Sequence, residues 1–371
     1  MFPRPLLQVD KGMNMMSKNG GPLGAQRAVL HHRSRARGTM LLPSMLMFAV
    51  IVASSGLLLM IEKGILTEMS PPSPRGDLAW RASPRVMRHV MNDGDEDHQI
   101  LQDIRNRTTQ TICGKKSMPH NIWELSISQR RTVLKHILVN DKYQFLYCYV
   151  PKIACSNWKK VLKVLDGALE NVNINVKMDH KSDLVFLADM KAKEIRYRLK
   201  HYFKFMFVRE PMERLLSAYR NKFGEIKEYQ MRYGTEIVKR YRENPGQSRG
   251  DDVTFSEFLW YLLDEDVEKM NEHWMPMYNL CQPCAVQYDF IGSYERLNDD
   301  ANYILEKVKA PPFIKFPERQ AWYKPVTKET LYYFLCNTRK GLVKELLPKY
   351  ILDFTLFAYS LPNVTAEFCR Q

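Results

Sequence analysis

The sequence predicts an α/β fold in which a central parallel sheet is flanked by helices and preceded by one transmembrane helix. Short apolar runs alternate with longer segments whose apolar residues recur at helical spacing, as expected where strands alternate with helices. Ahead of them lies one uncharged apolar run of 22 residues, 40–61, which is long enough to cross a bilayer core of roughly 30 Å.

The charges around this apolar run predict its orientation. Seven Lys and Arg residues and one acid, Asp10, precede it, so the positive-inside rule makes residues 1–39 a cytoplasmic tail and residues 40–61 a signal-anchor. A cleaved signal peptide is the alternative, but its apolar region would be shorter and closer to the N-terminus. The glycosylation motifs at Asn106 and Asn363 both lie on the predicted lumenal side.

The lumenal part divides by composition. Residues 62–120 contain Pro-rich and acidic stretches without apolar periodicity, which predicts a stem, and residues 121–371 predict a catalytic domain. The predicted strands are 144–150, a run ending at 208, and 289–293. The predicted helices are 157–165, 213–223, 255–263 and 301–308.

Charge and cysteine content narrow the partners. The formal net charge of +14 implies an acidic partner: nucleic acid, an anionic membrane or a polyanionic sugar. A lumenal domain excludes nucleic acid as that partner and leaves an acidic polymer of the secretory pathway.

The seven cysteines predict disulfides with at least one thiol left over, and a structural disulfide role for Cys281 and Cys284 is favoured over zinc or redox chemistry. The connectivity stays open.

The first segment with functional potential is 149–159, YVPKIACSNWK. A strand runs into a short loop and then a helix, whose free N–H groups and dipole attract an anion. Lys152 adds a charge and Ser156 a hydroxyl, which suits a phosphosulfate, although the loop is not a Walker A motif. The alternative is an ordinary turn in which Ser156 or Asn157 caps the helix.

The second segment, 208–220, repeats this strand–loop–helix arrangement. Arg209 follows the strand at its carboxyl end, where open α/β sheets bind ligands, and Pro211 opens a helix that carries Ser217 two turns on. The alternative is that Arg209 and Glu210 only form a structural ion pair. Two such units in one chain favour an anion site.

Both segments resemble motifs of the HNK-1-type carbohydrate sulfotransferases. PKIACSNWK is similar to their 5′-phosphosulfate loop and REPMERLLSAYRNKF to their 3′-phosphate motif, and the similarity spans about residues 130–360, including NEHWMP, CQPC and YDFIGSYERL. The resemblance implies a P-loop-like sulfotransferase fold, 3′-phosphoadenylyl sulfate (PAPS) as donor, and residence in the Golgi membrane. It also implies sulfation of the 4-hydroxyl of N-acetylgalactosamine beside iduronate, in the dermatan or chondroitin chains of proteoglycans.

The resemblance also assigns residues to the donor, with Arg209 and Ser217 as direct contacts. The assigned residues are Pro151, Lys152, Ile153, Ala154, Cys155, Ser156, Asn157, Arg209, Glu210, Pro211, Met212, Glu213, Arg214, Leu215, Leu216 and Ser217.

In the expected reaction a sugar hydroxyl attacks sulfur in line with the leaving nucleotide phosphate. Lys152 is predicted to neutralise the leaving oxygen, and His273 or His180 to act as the base, with Glu272 as a further candidate. No metal is required by this scheme. Basic residues are expected to bind the acceptor. The candidates are Arg130, Arg131, Lys135, Lys159, Lys160, Lys239, Arg240 and Arg242.

Three other functions compete with this interpretation. One is a chondroitin 4-O-sulfotransferase. The second is a type II Golgi glycosyltransferase, for which Asp264-Glu265-Asp266 fits an Asp-x-Asp metal motif, although it reads better as a solvated turn. The third is a membrane-tethered scaffold that binds polyanions, which would not need two anion sites.

Overall fold

A computed structural model describes residues 93–174, 182–246, 248–318, 324–339, 341–364 and 369. The predicted cytoplasmic tail, the signal-anchor at 40–61 and most of the predicted stem lie outside these residues, as does His180. Within the described part of the chain, none of the helices combines the length and the apolar character that crossing a bilayer requires.

A five-stranded mixed sheet forms the centre of the fold, in the order β3-β1-β2-β4-β5. The strands are β1 (Ile137–Asn140), β2 (Phe145–Cys148), β3 (Val185–Phe186), β4 (Phe203–Val208) and β5 (Phe290–Ser293). The α/β class is confirmed, and β2, β4 and β5 are parallel as predicted. The prediction of a wholly parallel sheet is wrong, because β1 is antiparallel to both β2 and β3. Residues 141–144 join β1 to β2 in a tight turn, and a connection this short permits only antiparallel pairing.

Helices surround this sheet. They are α1 (Asp93–Cys113), α2 (Ile127–His136), α3 (Cys155–Leu165), α4 (Ala192–His201), α5 (Pro211–Gly224), α6 (Lys227–Tyr229), α7 (Thr235–Tyr241), α8 (Phe255–Asp264), α9 (Met277–Cys281), α10 (Pro283–Val286), α11 (Leu297–Lys307), α12 (Lys328–Cys336) and α13 (Leu342–Leu356), with 3₁₀ turns at Leu187–Asp189 and Val267–Lys269 and a π-helical turn at Gln230–Gly234.

The parallel core places two loops side by side. All of β2 and nearly all of β4 are buried, as expected for strands covered on both faces. Trp158 of α3 packs on β4, with ring centroids 4.8 Å from Phe205 and 5.5 Å from Phe207. Cys148 pairs with Met206 in the sheet register, so both strands end at the same edge. The loops that follow β2 and β4 therefore emerge as neighbours.

Part of the predicted stem belongs to the packed body. In α1, Gln102 donates to the carbonyl of Ile291 (3.1 Å) and the buried Arg105 donates to that of Phe357 (3.0 Å). A disulfide joins Cys113 to Cys284. The packed body therefore includes residues before the domain boundary predicted at residue 121.

Three disulfides confirm the expected oxidised cysteines. Besides the Cys113–Cys284 bond, Cys148 pairs with Cys281 and Cys336 with Cys369. The two cysteines of CQPC thus bond different partners rather than each other. The unpaired thiol is Cys155, which lies in the predicted phosphosulfate loop.

Candidate active site

The loop after β2 ends in an uncapped helix. Lys152 and Ala154 adopt left-handed φ angles of 73° and 51°, an unusual conformation for residues with a Cβ. Ala154 is the N-cap of α3 and no side chain caps that end. The alternative of a cap by Ser156 or Asn157 is therefore wrong. Asn157 donates instead to the carbonyl of Pro317 (3.4 Å), and the end of α3 keeps the anion affinity expected of a helix N-terminus.

The loop after β4 is organised by Glu210. Its carboxylate accepts from the backbone N–H of Glu213 and caps α5, with Pro211 in the first turn. Burial raises the pKa of Glu210 to about 7. Arg209 pairs with Glu213, at 3.5 Å between Nη2 and Oε2. The predicted alternative of an Arg209–Glu210 pair is therefore wrong, because Glu210 serves the helix end.

Arg209 connects the two loops. Its side chain is fully buried, its Nη1 donates to the carbonyl of Lys152 (3.2 Å), and its guanidinium lies 4.2 Å from the ring centroid of Tyr294. Its buried Nε has no hydrogen-bond partner among the described residues. Buried donors are usually satisfied, so this one fits a site whose remaining acceptor arrives with a ligand.

Arg214 holds the site together from behind. Its side chain is buried and donates from Nε to the carbonyl of Pro151 (3.1 Å), from Nη1 to Met275 (2.8 Å) and from Nη2 to Glu272 (2.9 Å). These bonds tie the first loop to the NEHWMP segment. Arg214 was assigned to the donor, but its guanidinium is directed at backbone carbonyls.

The other residues that were predicted to bind PAPS differ in their surroundings. The side chains of Ile153, Met212, Leu215 and Leu216 lie in the hydrophobic core, so any contact of theirs with a nucleotide would come through the backbone. Ser217 is almost completely buried on α5. The polar groups of the two motifs that could serve a nucleotide are therefore the first loop, the end of α3, and the buried side chains of Arg209 and Ser217.

A carboxylate cluster lies beside the first loop. Glu272 Oε2 lies 3.0 Å from Nε2 of His136 and accepts from the hydroxyl of Tyr149 (3.2 Å). Burial by itself raises the pKa of Glu272, but the hydrogen bond and charge of His136 outweigh it and lower the pKa to about 2. Nδ1 of His136 lies 2.8 Å from the carbonyl of Thr132. Both ring nitrogens of His136 thus lie within hydrogen-bond distance of an oxygen.

His273 is held next to this cluster. Its Nδ1 lies 2.8 Å from Oδ1 of Asn271 and 3.2 Å from the hydroxyl of Tyr229. Burial, and after it the charge of Lys222, lowers the pKa of His273 to about 3. The ring is therefore neutral near pH 7. Donation from Nδ1 to Asn271 leaves Nε2 as the unprotonated nitrogen.

The structure separates the predicted acceptor-binding residues. Lys159, a predicted acceptor contact, is buried, with Nζ 3.9 Å from the ring centroid of Tyr149. Lys160 donates to the carbonyl of Ile174 (3.0 Å). Arg240 and Arg242 are engaged in ion pairs with neighbouring carboxylates. Arg131, Lys135 and Lys239 are exposed, and Arg130 is half-buried.

Sequence reasoning missed several members of this site, namely His136, Tyr149, Lys222 and Tyr229. Tyr149 and Lys222 lie within the two quoted motifs but were given no role there, whereas no local motif marks His136 or Tyr229. The Asp-x-Asp candidate lies elsewhere, where Asp264 accepts from the hydroxyl of Tyr241 (2.7 Å) and Asp266 caps the 3₁₀ turn that follows it. No group of three or more potential metal ligands occurs among the described residues.

Comparison with known families agrees with this geometry. A family model described as "Sulfotransferase family" matches residues 135–360. The chain belongs to the sulfotransferase family. The prediction of a sulfotransferase, made from the two motifs, is thereby confirmed, and membership implies PAPS as the sulfuryl donor. Membership of this family also argues against the two alternatives of a glycosyltransferase and a non-enzymatic scaffold.

Full-length relatives of this sulfotransferase are known. It is 61% identical over 381 residues to carbohydrate sulfotransferase 14 of Homo sapiens and 62% identical over 382 residues to that of Mus musculus, each alignment covering 100% of both chains. It is 41% identical over 281 residues to carbohydrate sulfotransferase 11 of Mus musculus, covering 71% of this chain and 77% of the relative. No solved structure matches the chain.

Proposed function

We propose that this sulfotransferase moves the sulfuryl group of PAPS to the 4-hydroxyl of N-acetylgalactosamine beside iduronate in dermatan. Support for a carbohydrate acceptor comes from the relatives named carbohydrate sulfotransferase 14, which are similar along the whole chain. The dermatan acceptor and the position of transfer rest on the resemblance of the motifs. The net charge of +14 suits a polyanionic substrate.

One observation carries the assignment of the PAPS site: the buried Arg209 joins the loops after β2 and β4, and its Nε has no hydrogen-bond partner in the described part of the chain. A 3′-phosphate near Arg209 and Ser217 would supply the missing acceptor. The uncapped end of α3 and the side chain of Lys152 would hold the 5′-phosphosulfate. Bound there, PAPS supplies an activated sulfuryl group.

In the transfer step a bond forms between the sugar oxygen and sulfur, while the bond from sulfur to the bridging phosphate oxygen breaks. The leaving nucleotide gains negative charge, which Lys152 is proposed to neutralise. The hydroxyl proton passes to a base, and we assign that role to Nε2 of His273. The products are the sugar sulfate ester and PAP, the nucleotide without its sulfuryl group.

The low pKa of His273 in the protein alone is compatible with this role. After burial, the next cause is the charge of Lys222, and the charges of Lys152 and Arg214 add to it. An anionic donor in the site would compensate those charges, so we expect its binding to raise the pKa of His273 towards a useful range. Glu272 stays ionised in its contacts with His136 and Tyr149.

We propose further that the protein is a single-pass type II glycoprotein of the Golgi membrane. Residues 40–61 would anchor it and residues 62–371 would face the lumen. Asn106 on α1 and Asn363 after α13 are both exposed, which suits glycan attachment. Protection of the catalytic part in sealed Golgi vesicles, together with a mobility shift on glycosidase treatment, tests this topology.

The decisive experiment incubates the full-length, detergent-solubilised chain with labelled PAPS and either desulfated dermatan or desulfated chondroitin, followed by disaccharide analysis. We expect label at the 4-position of galactosamine beside iduronate. Label mainly beside glucuronate would favour the chondroitin 4-O-sulfotransferase alternative. Absence of transfer to either polymer would refute the proposal.

A binding experiment tests the donor site separately. PAP should raise the thermal midpoint of the wild-type chain, and Arg209→Lys should lose that increase. Lysine keeps the charge but cannot reproduce the fixed donor fork of arginine. Arg131→Lys, an exposed change of the same type, is the matched control and should respond to PAP like the wild type.

A further inference from the structure

Two arginines converge on one exposed tryptophan outside the donor site. The carbon Cζ of Arg196, on α4, lies 4.5 Å from the ring centroid of Trp123, and that of Arg130, on α2, lies 5.4 Å from it. Trp123 keeps 37% of its surface exposed, and Arg196 is exposed. We call these three residues the arginine–tryptophan patch.

The patch carries positive charge without internal compensation. Neither Arg130 nor Arg196 has an ion pair with a carboxylate in the described ranges of the chain. The nearby carboxylate of Glu124 accepts from Asn121 and from the backbone of His120, and that of Glu194 accepts from the backbone of Lys191. The indole ring attracts both guanidiniums by cation–π interaction, and each lies within 5.4 Å of the ring centroid.

Paired guanidiniums on a rigid support suit a particular ligand chemistry. Each offers a planar fork of donors that matches the two oxygens of a carboxylate or a sulfate ester. Aromatic support fixes their directions before a ligand arrives, which lowers the entropic cost of binding. The surrounding surfaces agree, since α2 contains Arg130, Arg131 and Lys135 and no acid.

The patch is connected to the reaction site through α2. This helix ends at His136, which contacts Glu272, and Arg130 lies six residues earlier, about 9 Å along the helix axis. A polymeric acceptor extends beyond the sugar that reacts. Its neighbouring sugars must leave the site across the adjoining surface, and they carry carboxylates.

We infer that the arginine–tryptophan patch is a secondary binding site for the acceptor chain, where Arg130 and Arg196 bind a uronate carboxylate or sulfate ester several sugars from the reacting hydroxyl. This inference rests on the proposed function and adds a specificity determinant for chain length. It makes the patch a positioning element that does not touch the reacting atoms.

The test compares Arg130→Gln/Arg196→Gln with Lys193→Gln/Lys307→Gln in the full-length chain. The control pair removes the same charge from exposed positions on α4 and α11 that are not among the predicted acceptor contacts. For the patch variant we expect KM for desulfated dermatan to rise about tenfold with kcat unchanged, as for the loss of two surface charge contacts. The shortest oligosaccharide that the wild-type chain sulfates should show no change in KM.

A lysine variant separates recognition from bulk charge. Arg130→Lys/Arg196→Lys keeps the charge but loses the planar forks, and we expect a KM for the polymer between those of the wild type and the glutamine variant. A lysine variant equal to the wild type, or a control pair as impaired as the patch pair, overturns the inference.

Retention on immobilised desulfated dermatan provides a readout that does not depend on turnover. The patch variant should elute at lower salt than the control pair. Equal elution overturns the inference even if the wild-type chain is active, whereas an inactive wild-type chain refutes the proposed function instead. Weaker binding to phosphatidylserine vesicles with unchanged retention on dermatan would mark the patch as a membrane surface and also overturns the inference.

Discussion

Replacing Arg214 by lysine should reveal whether this buried residue supports the fold or contacts the donor. Its guanidinium satisfies the carbonyls of Pro151, Met275 and Glu272, which belong to two loops far apart in sequence. An ammonium group at the end of a straight side chain reaches only part of this set. Arg214→Lys therefore loses at least two charge-assisted hydrogen bonds and leaves buried carbonyls without donors.

The expected cost can be worked from those bonds. Hydrogen bonds from a charged group contribute about 1.5–3 kcal/mol each, so two of them set a lower estimate of about 3 kcal/mol. For a domain of this size, that corresponds to a fall in the thermal midpoint of about 6–12 °C. The exposed control Arg131→Lys should stay within about 0.5 kcal/mol of the wild type.

Differential scanning fluorimetry of the full-length chain, with and without PAP, measures both properties. We expect Arg214→Lys to melt earlier but to keep most of the PAP-induced increase, because its donors do not face the ligand. A midpoint within 2 °C of the wild type would show that the three bonds contribute little. An unchanged midpoint with loss of the PAP response would make Arg214 a donor contact and refute the reasoning.

Four further changes probe the surroundings of the site. Glu272 has a pKa of about 2, below its ordinary value of 4.5, so its contribution to stability is complete above about pH 4.5 and declines as the pH falls towards 2. Unfolding curves of Glu272→Gln should therefore lack the loss of stability that the wild type shows between pH 5 and 3, and equal acid sensitivity of the two proteins would contradict this prediction. His273→Gln should lower kcat by about 10²-fold or more, and NMR of the wild type should show the His273 pKa rising when PAP binds; a variant with near-normal turnover places the base elsewhere. Cys155→Ala should keep donor binding, and the native thiol should resist alkylation, because burial raises its pKa; rapid native labelling would disagree. Cys148→Ser should cost about 2–5 kcal/mol in denaturant unfolding, since it removes the bond from β2 to α9, and a smaller loss would show that packing alone holds these elements.

The three parallel strands were predictable because each is a short, mostly apolar run that is followed by polar or charged residues. The antiparallel part was not predictable in the same way. Ile137, the first residue of β1, follows directly on His136, the last residue of α2, without a Gly or Pro to mark the change. β3 contains only two residues, fewer than periodicity can detect. Their pairing is decided by tertiary contacts.

The candidate site was predictable where one motif carries the chemistry and not where distant elements meet. The phosphosulfate loop and Arg209 follow from strand–loop–helix patterns. The role of His136 depends on its contact with Glu272, 136 positions later in the chain, and nothing near His136 announces it. The environment of Lys159 could not be predicted either. A lysine on a predicted helix is usually exposed, and only the contact with Tyr149 in the structure shows that this one is buried.

Arg209 and Arg214 lie five positions apart in one motif, and the sequence alone does not distinguish their roles. Their hydrogen bonds in the structure do. Both side chains are almost completely inaccessible. Arg214 donates to three backbone carbonyls, whereas the buried Nε of Arg209 has no acceptor among the residues that the structure describes. An unsatisfied buried donor costs about 1–3 kcal/mol, and the folded chain retains that cost for as long as no anion is bound. A phosphate oxygen at Arg209 would remove it at the moment of binding. Arg209 also donates to the carbonyl of Lys152 in the phosphosulfate loop. The affinity for PAPS and the stability of the two loops after β2 and β4 are therefore linked through this one side chain.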